Sequence, residues 1–143
     1  MGQQQLLLIV LGVIIVGIAI AVGISMFKSN AQSSNRDQVI NDLNNLAAKA
    51  QQFYRKPTSM AGGGQSFVGF ILASIDTSNA NGLYAVTDST TAPAAYAAST
   101  YSAETATKMY ITGWGTEVGN DGTNKVEAVV MITNNAINTR VVN

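Results

Sequence analysis

The chain contains no cysteine and no histidine. Their absence excludes disulfides, Cys/His zinc sites, haem attachment through a CxxCH run, thiol nucleophiles and histidine general bases. Charge is scarce too: 143 residues carry eight Lys/Arg and eight Asp/Glu, so the net charge is zero. Nothing in that balance points to bulk attraction for nucleic acid or anionic lipid. Proline occurs only at Pro57 and Pro93. The carboxylates Asp37, Asp42, Asp76, Asp88, Glu104, Glu117, Asp121 and Glu127 form no pair at a known catalytic spacing, and each is expected to be solvated. No serine sits in a GxSxG context. The ten aromatic residues are spread along the chain and form no stacking array. Neither catalysis nor a metal or cofactor is expected.

No charged side chain precedes Lys28. Residues 6–27 (LLLIVLGVIIVGIAIAVGISMF) hold a single polar residue, Ser25, and sixteen side chains larger than Gly, Ala or Ser. As a helix this stretch is about 33 Å long, enough to cross a bilayer core. Exposing sixteen such side chains to water would cost a few tens of kcal/mol, at roughly 1.5–3 kcal/mol each. A small head stable by about 5–15 kcal/mol cannot offset that. The segment is therefore expected to sit in lipid or against copies of itself. The expected packing surface is Leu6, Leu7, Leu8, Ile9, Val10, Leu11, Val13, Ile14, Ile15, Val16, Ile18, Ile20, Val22 and Ile24. A cleaved secretory signal fits poorly, because no basic residue precedes the stretch and it is too long. Gly12, Gly17 and Gly23 interrupt the run at spacings of five and six, and are candidate points of helix loosening.

After Lys28 the composition turns polar (SNAQSSNRDQ) without a Pro or Gly to stop a helix. Val39, Ile40, Leu43, Leu46, Ala47, Ala50, Phe53 and Tyr54 then recur at helical spacing. Asp37, Asn41, Asp42, Asn44, Asn45 and Lys49 lie off that stripe. Pro57 ends the element. One helix is expected over about 2–55, weakest at the Ser/Asn-rich stretch 29–35. Its apolar half spans 1–27 and its amphipathic continuation 28–55. Val39, Ile40, Leu43, Leu46, Ala50 and Phe53 are the expected contacts to a sheet.

Residues 56–143 read as a β-rich head. Residues 58–66 are expected to be a loop, and their three glycines lack the Lys-Ser/Thr of a phosphate loop. The apolar run 67–75 (FVGFILASI) reads as a buried strand or a short helical turn. Residues 82–86 look like a strand. Residues 88–107, rich in Ser, Thr, Ala and Tyr, read as an exposed loop. Its Ser/Thr runs at 89–91 and 99–107 are candidates for O-linked sugar if they face outward. There is no N-x-Ser/Thr sequon. Residues 107–118 alternate, with Met109, Ile111 and Gly113 on one face and Tyr110, Thr112 and Trp114 on the other. GNDGTN (119–124) is turn chemistry, and Asp121 as its only carboxylate argues against a calcium loop. Residues 125–133 and 137–142 are the following strands of an antiparallel meander. The fold class is α+β: a long N-terminal helix packed by its second half on a small antiparallel sheet.

The N-terminal residues 1–5 (MGQQQ), the apolar run 6–27 and the stripe 39–54 together resemble a mature type IV pilin. The resemblance implies a homopolymer: a helical filament outside the cell, with helices at its core and heads on its surface. It also implies residence in the inner membrane before assembly, processing by a prepilin peptidase just before residue 1, and handling by pilus assembly machinery. By the same resemblance Met1 and Gln5 take part in assembly at the N-terminus, and residue 1 is a candidate for methylation. The sequence departs from the family pattern at Gln5, where a Glu is usual, and at Met1, where Phe is usual. It also lacks a proline within the apolar half and the C-terminal disulfide. A neutral Gln5 accepts a hydrogen bond from an amine at about half the strength of a carboxylate. Two alternatives stand beside the filament subunit: a minor pseudopilin of a type II secretion system, and a single-span membrane-anchored surface protein. The filament's role in adhesion, motility or DNA uptake is not written in the helix.

Overall fold

The computed structural model of the chain describes residues 2–87 and 107–143. Met1 and residues 88–106, which hold all but the last residue of the loop expected over 88–107 and the carboxylates Asp88 and Glu104, lie outside the described residues.

Helix α1 runs unbroken over Gly2–Arg55, about 80 Å at 1.5 Å per residue. It passes through the Ser/Asn-rich stretch 29–35 and through Gly12, Gly17 and Gly23 without interruption. Strands β1 (Gly82–Thr87), β2 (Lys108–Val118), β3 (Lys125–Thr133) and β4 (Ile137–Val141) form one antiparallel sheet in the order β1-β2-β3-β4. Strand β1 thus extends the expected three-stranded meander at its β2 edge. The β2–β3 turn is closed by Asp121, whose Oδ1 accepts from the backbone N–H groups of Thr123 and Asn124 at 2.9 Å each. Gly122 takes a φ of +70°, which glycine adopts without strain. The β3–β4 turn is tighter, with Thr133 N–H donating to the Ala136 carbonyl at 2.9 Å.

One core joins helix and sheet. Val39, Leu43, Leu46, Ala47 and Ala50 are buried on α1, with Ile40, Phe53 and Tyr54 partly buried beside them. They meet Tyr84 and Val86 of β1, Met109 and Ile111 of β2, and Ala128, Val130 and Ile132 of β3. A side chain at Gly113 would press on Val39 and Tyr84 at 3.0 Å, so the sheet lies close against the helix there. The alternate face of β2, with Tyr110, Thr112 and Trp114, is buried as well.

The run 67–75 corrects an expectation, because it is neither strand nor α-helix. It is an irregular cover over the C-terminal end of α1. Phe67 packs on Tyr54 with ring centroids 4.7 Å apart, and Phe70 on Phe53 at 5.4 Å in an edge-on arrangement. A turn (Phe70 N–H to the Phe67 carbonyl, 3.0 Å) and a short 3₁₀ segment at Ser74–Asp76 break it up. Gly69 at φ +83° is incompatible with either regular element. The preceding loop, with one 3₁₀ turn at Thr58–Met60, folds back on the helix end. Gly63 and Gln65 donate backbone N–H groups to the carbonyls of Phe53 and Tyr54, both at 2.8 Å. These bonds satisfy carbonyls that a helix end leaves without intrahelical partners. The glycine at 63 is needed for close approach, since a Cβ there would run into the Ser66 carbonyl and the Phe53 ring.

Leu43 is fully buried at the centre of this core. Leu43→Ala is expected to destabilise the head by about 2–5 kcal/mol. Urea unfolding of the detergent-solubilised chain, followed by tryptophan fluorescence from Trp114, measures it. A loss below 1 kcal/mol would mean that the helix stripe is not the floor of the core.

Candidate functional site: the exposed apolar helix

The N-terminal half of α1 has no partner among the described residues. Leu6, Leu7, Leu8, Ile9, Val10, Leu11, Val13, Ile14, Ile15, Val16, Ile18, Ile20, Val22 and Ile24 are all exposed, as are Met26 and Phe27. Their exposures run from 49% at Leu11 to 76% at Phe27. Side chains point out all round the helix, as expected for a sequence without a polar face over this stretch. The span is long and apolar enough to cross a membrane, and none of it is buried. A Cβ added at Gly12, Gly17 or Gly23 would meet nothing within 4 Å. Within a single chain, therefore, these glycines open no contact. Gln5 stands exposed near the start of the helix.

The head holds this helix by polar contacts placed around the apolar stripe, and these were not legible as such in the sequence. Asn35 is the first. It is buried, and its Nδ2 donates to the Asn81 carbonyl at 2.9 Å and to Thr116 Oγ1 at 3.2 Å. Its Oδ1 accepts from the backbone N–H groups of Thr116 (3.1 Å) and Glu117 (3.3 Å). The β2–β3 register shifts between Trp114 and Val118. Such an irregularity leaves backbone groups without ladder partners, and the Asn35 amide supplies them. Gly115 is required beneath it, because a Cβ at that position would collide with Asn35 Oδ1. The sequence signal was its register: Asn35 precedes Val39 by four residues, so it is the next position of the buried stripe.

Asp42 is the second, and it corrects the expectation of a solvated carboxylate. Its Oδ2 accepts from Asn79 Nδ2 (2.9 Å), Asn81 Nδ2 (2.8 Å) and the Tyr84 hydroxyl (2.7 Å). Burial opposes its ionisation, but the hydrogen bonds from Asn81, Tyr84 and Asn79 outweigh burial and hold the carboxyl below its ordinary value. Burial and the neighbouring Asp42 acceptor and charge push the Tyr84 hydroxyl far above its ordinary value, against a smaller opposing contribution from Asn79. Asp76 is likewise not free in solvent, since Lys49 Nζ bonds both its oxygens at 2.7 and 2.8 Å. Asp121 is held well below the usual carboxylate range by its turn, chiefly by the Thr123 N–H. Glu127 is half-buried, and burial raises its carboxyl against a hydrogen bond from Trp114. On the other flank of the helix, Thr139 Oγ1 donates to Asn44 Oδ1 (2.9 Å) and Gln51 Nε2 to the Thr133 carbonyl (3.1 Å). Together these contacts fix the rotation of α1 against the sheet and hence the direction in which the free half leaves the head.

Among the described residues, no group of three or more acidic side chains is placed to hold a metal. Comparison with family models, with curated proteins and with solved structures returns no match. The architecture itself, a long apolar N-terminal helix packed on a small antiparallel sheet, is consistent with that of a pilin, and its apolar half is compatible with a membrane-embedded helix.

Two outcomes follow for the joint. Asn35→Ala removes four hydrogen bonds and strands two N–H groups, and is expected to cost about 2–3 kcal/mol in the same unfolding measurement. The pH dependence has two limbs. The lowered carboxyl of Asp42 contributes stability that is present above the unfolded carboxyl value of about 3.9 and lost as pH falls through its folded value. The raised hydroxyl of Tyr84 contributes stability that is present below about 10 and lost as pH rises through its folded value. Asp121, also lowered, shares the acid limb, so Asp42→Asn should reduce that limb without abolishing it, and a limb identical to that of the wild type would exclude Asp42 as a source.

Proposed function

We propose that this chain is a structural subunit that polymerises through residues 6–27 into a type IV pilus-like extracellular filament, with the inner membrane holding the same residues before assembly. The observation that carries this reading is the exposure of sixteen large apolar side chains on one continuous helix, next to a head with its own packed core. The hydrophobic cost of that exposure is far larger than the stability of a small head, so the surface needs a permanent partner. Bundled copies of the same helix supply one without lipid. The direction fixed by Asn35 and Asp42 gives every copy the same angle between helix and head, which a regular polymer requires. Processing by a prepilin peptidase, methylation of residue 1 and the part played by Gln5 at a neighbour's N-terminus belong to this reading through the family resemblance. The role of the chain is structural rather than catalytic.

A second reading, a permanent single-span anchor, is favoured by the length of the apolar stretch, which also suits a bilayer. The two part on polymerisation. Val16→Asp and Ile20→Asp each place a charge in the helix bundle, at a cost of several kcal/mol for an unpaired buried carboxylate. Electron micrographs of cells expressing either variant should show loss of filaments while the protein persists in the membrane fraction. Filaments of normal number and length from both variants would refute the proposal, and a wild type recovered only as detergent-bound monomer would favour the anchor.

A further inference from the structure

Among the described residues, the head carries a second exposed apolar surface beside its core. In the segment 68–75, Phe70 and Leu72 turn inward, while Val68, Ile71 and Ile75 are 52%, 55% and 84% exposed. The segment has no charged residue. Isolated exposed apolar residues are ordinary, but three within eight residues over a packed aromatic pair are a candidate contact. The pair is Phe70 on Phe53. The segment's far end is fixed by the Asp76–Lys49 ion pair, which puts Ile75 beside helix position 49.

That position decides what can cover it. Lys49 lies 22 residues beyond Phe27 and 43 beyond Leu6 on one unbroken helix, so the free apolar half begins about 33 Å away along the axis and ends about 65 Å away. The chain's own helix cannot fold back onto the segment. A bilayer spanned by residues 6–27 also ends roughly 30 Å short of it when the helix stands along the membrane normal. What fits is the apolar helix of another copy displaced along the axis by that distance. Residues 68–75 and 6–27 carry no charge of their own, and the flanking Asp76 is already paired with Lys49.

We infer that the segment 68–75 receives the apolar helix of an axially displaced copy, through Val68, Ile71 and Ile75. The two surfaces differ, so the contact is head-to-tail, of the kind that propagates open polymers rather than closed dimers. The inference rests on the filament reading and adds to it a contact between head and helical core that sets the axial offset between copies.

The absence of cysteine makes the test direct. Full-length Ile75→Cys is co-expressed with full-length copies carrying one cysteine each at Ile9, Ile14, Ile18 or Ile24, and sheared fibres are oxidised. Disulfide-linked dimers are expected between Ile75→Cys and at least one helix position, in fibres and not in detergent-dispersed monomers. In parallel, the double variant Ile71→Asp/Ile75→Asp is expected to lower fibre yield about tenfold or more. Its head should keep the wild-type unfolding midpoint, since both side chains face solvent in the single chain. Fibres that form normally from the double variant, or that cross-link at no helix position, would overturn this contact while leaving the filament reading intact. A wild type that makes no fibres at all would overturn both.

Discussion

Sixteen large apolar side chains stand exposed on one half of a single helix with no other described residue packed over them, and the rest of the molecule is organised around that imbalance. Hydrophobic burial drives folding at roughly 25 cal/mol per Å², and a helix that keeps such a surface in water forgoes more free energy than a domain of this size gains by folding. The helix therefore has to end in a shared environment, lipid or protein. The head does not relieve this demand. The sheet and the irregular segment 67–75 close over the second half of α1 only, the sheet around Asn35 to Ala50 and the segment over Phe53 and Tyr54.

The joint between the two halves relies on hydrogen bonds as much as on packing. An apolar stripe on a helix can slide or rotate by a fraction of a turn against a sheet at modest cost. Asn35 and Asp42 remove that freedom, because each bonds several groups at once and buried polar groups tolerate little displacement. Asn44 and Gln51 do the same from the opposite flank. A chain without disulfides thus obtains a defined helix–head angle from side-chain amides and a carboxylate. A regular polymer depends on that angle, because any spread in it would accumulate along the fibre.

The helix and most of the sheet were legible in the sequence for physical reasons. Pro57 and a stripe at steps of three and four define the end and the inner face of α1. Turn residues at 119–124 and 134–135 separate strands rich in β-branched residues. The run 67–75 was not legible, because a short apolar run without clear period fits several structures and only contacts with Phe53 and Tyr54 select among them. Asn35 read as a weak point of the helix, since an asparagine favours caps until a bulged strand offers it four partners. Asp42 read as solvated because its partners Asn79, Asn81 and Tyr84 lie 37, 39 and 42 residues away, and no local pattern announces a contact of that range. The exposure of Ile71 and Ile75 was hidden for the same reason, since an apolar run gives no sign of which members turn inward.

The proposed polymer requires residues 6–27 of neighbouring copies to pack against one another. Electron cryomicroscopy of fibres sheared from cells and shown by mass spectrometry to consist of this chain observes that directly. The account predicts a continuous central bundle of α-helical density formed by residues 6–27 of neighbouring copies, with the four-stranded heads outside and no lipid between the helices. Fibres whose core is built by the sheets, or a chain found only as lipid-bound monomers with no fibres to image, would contradict it.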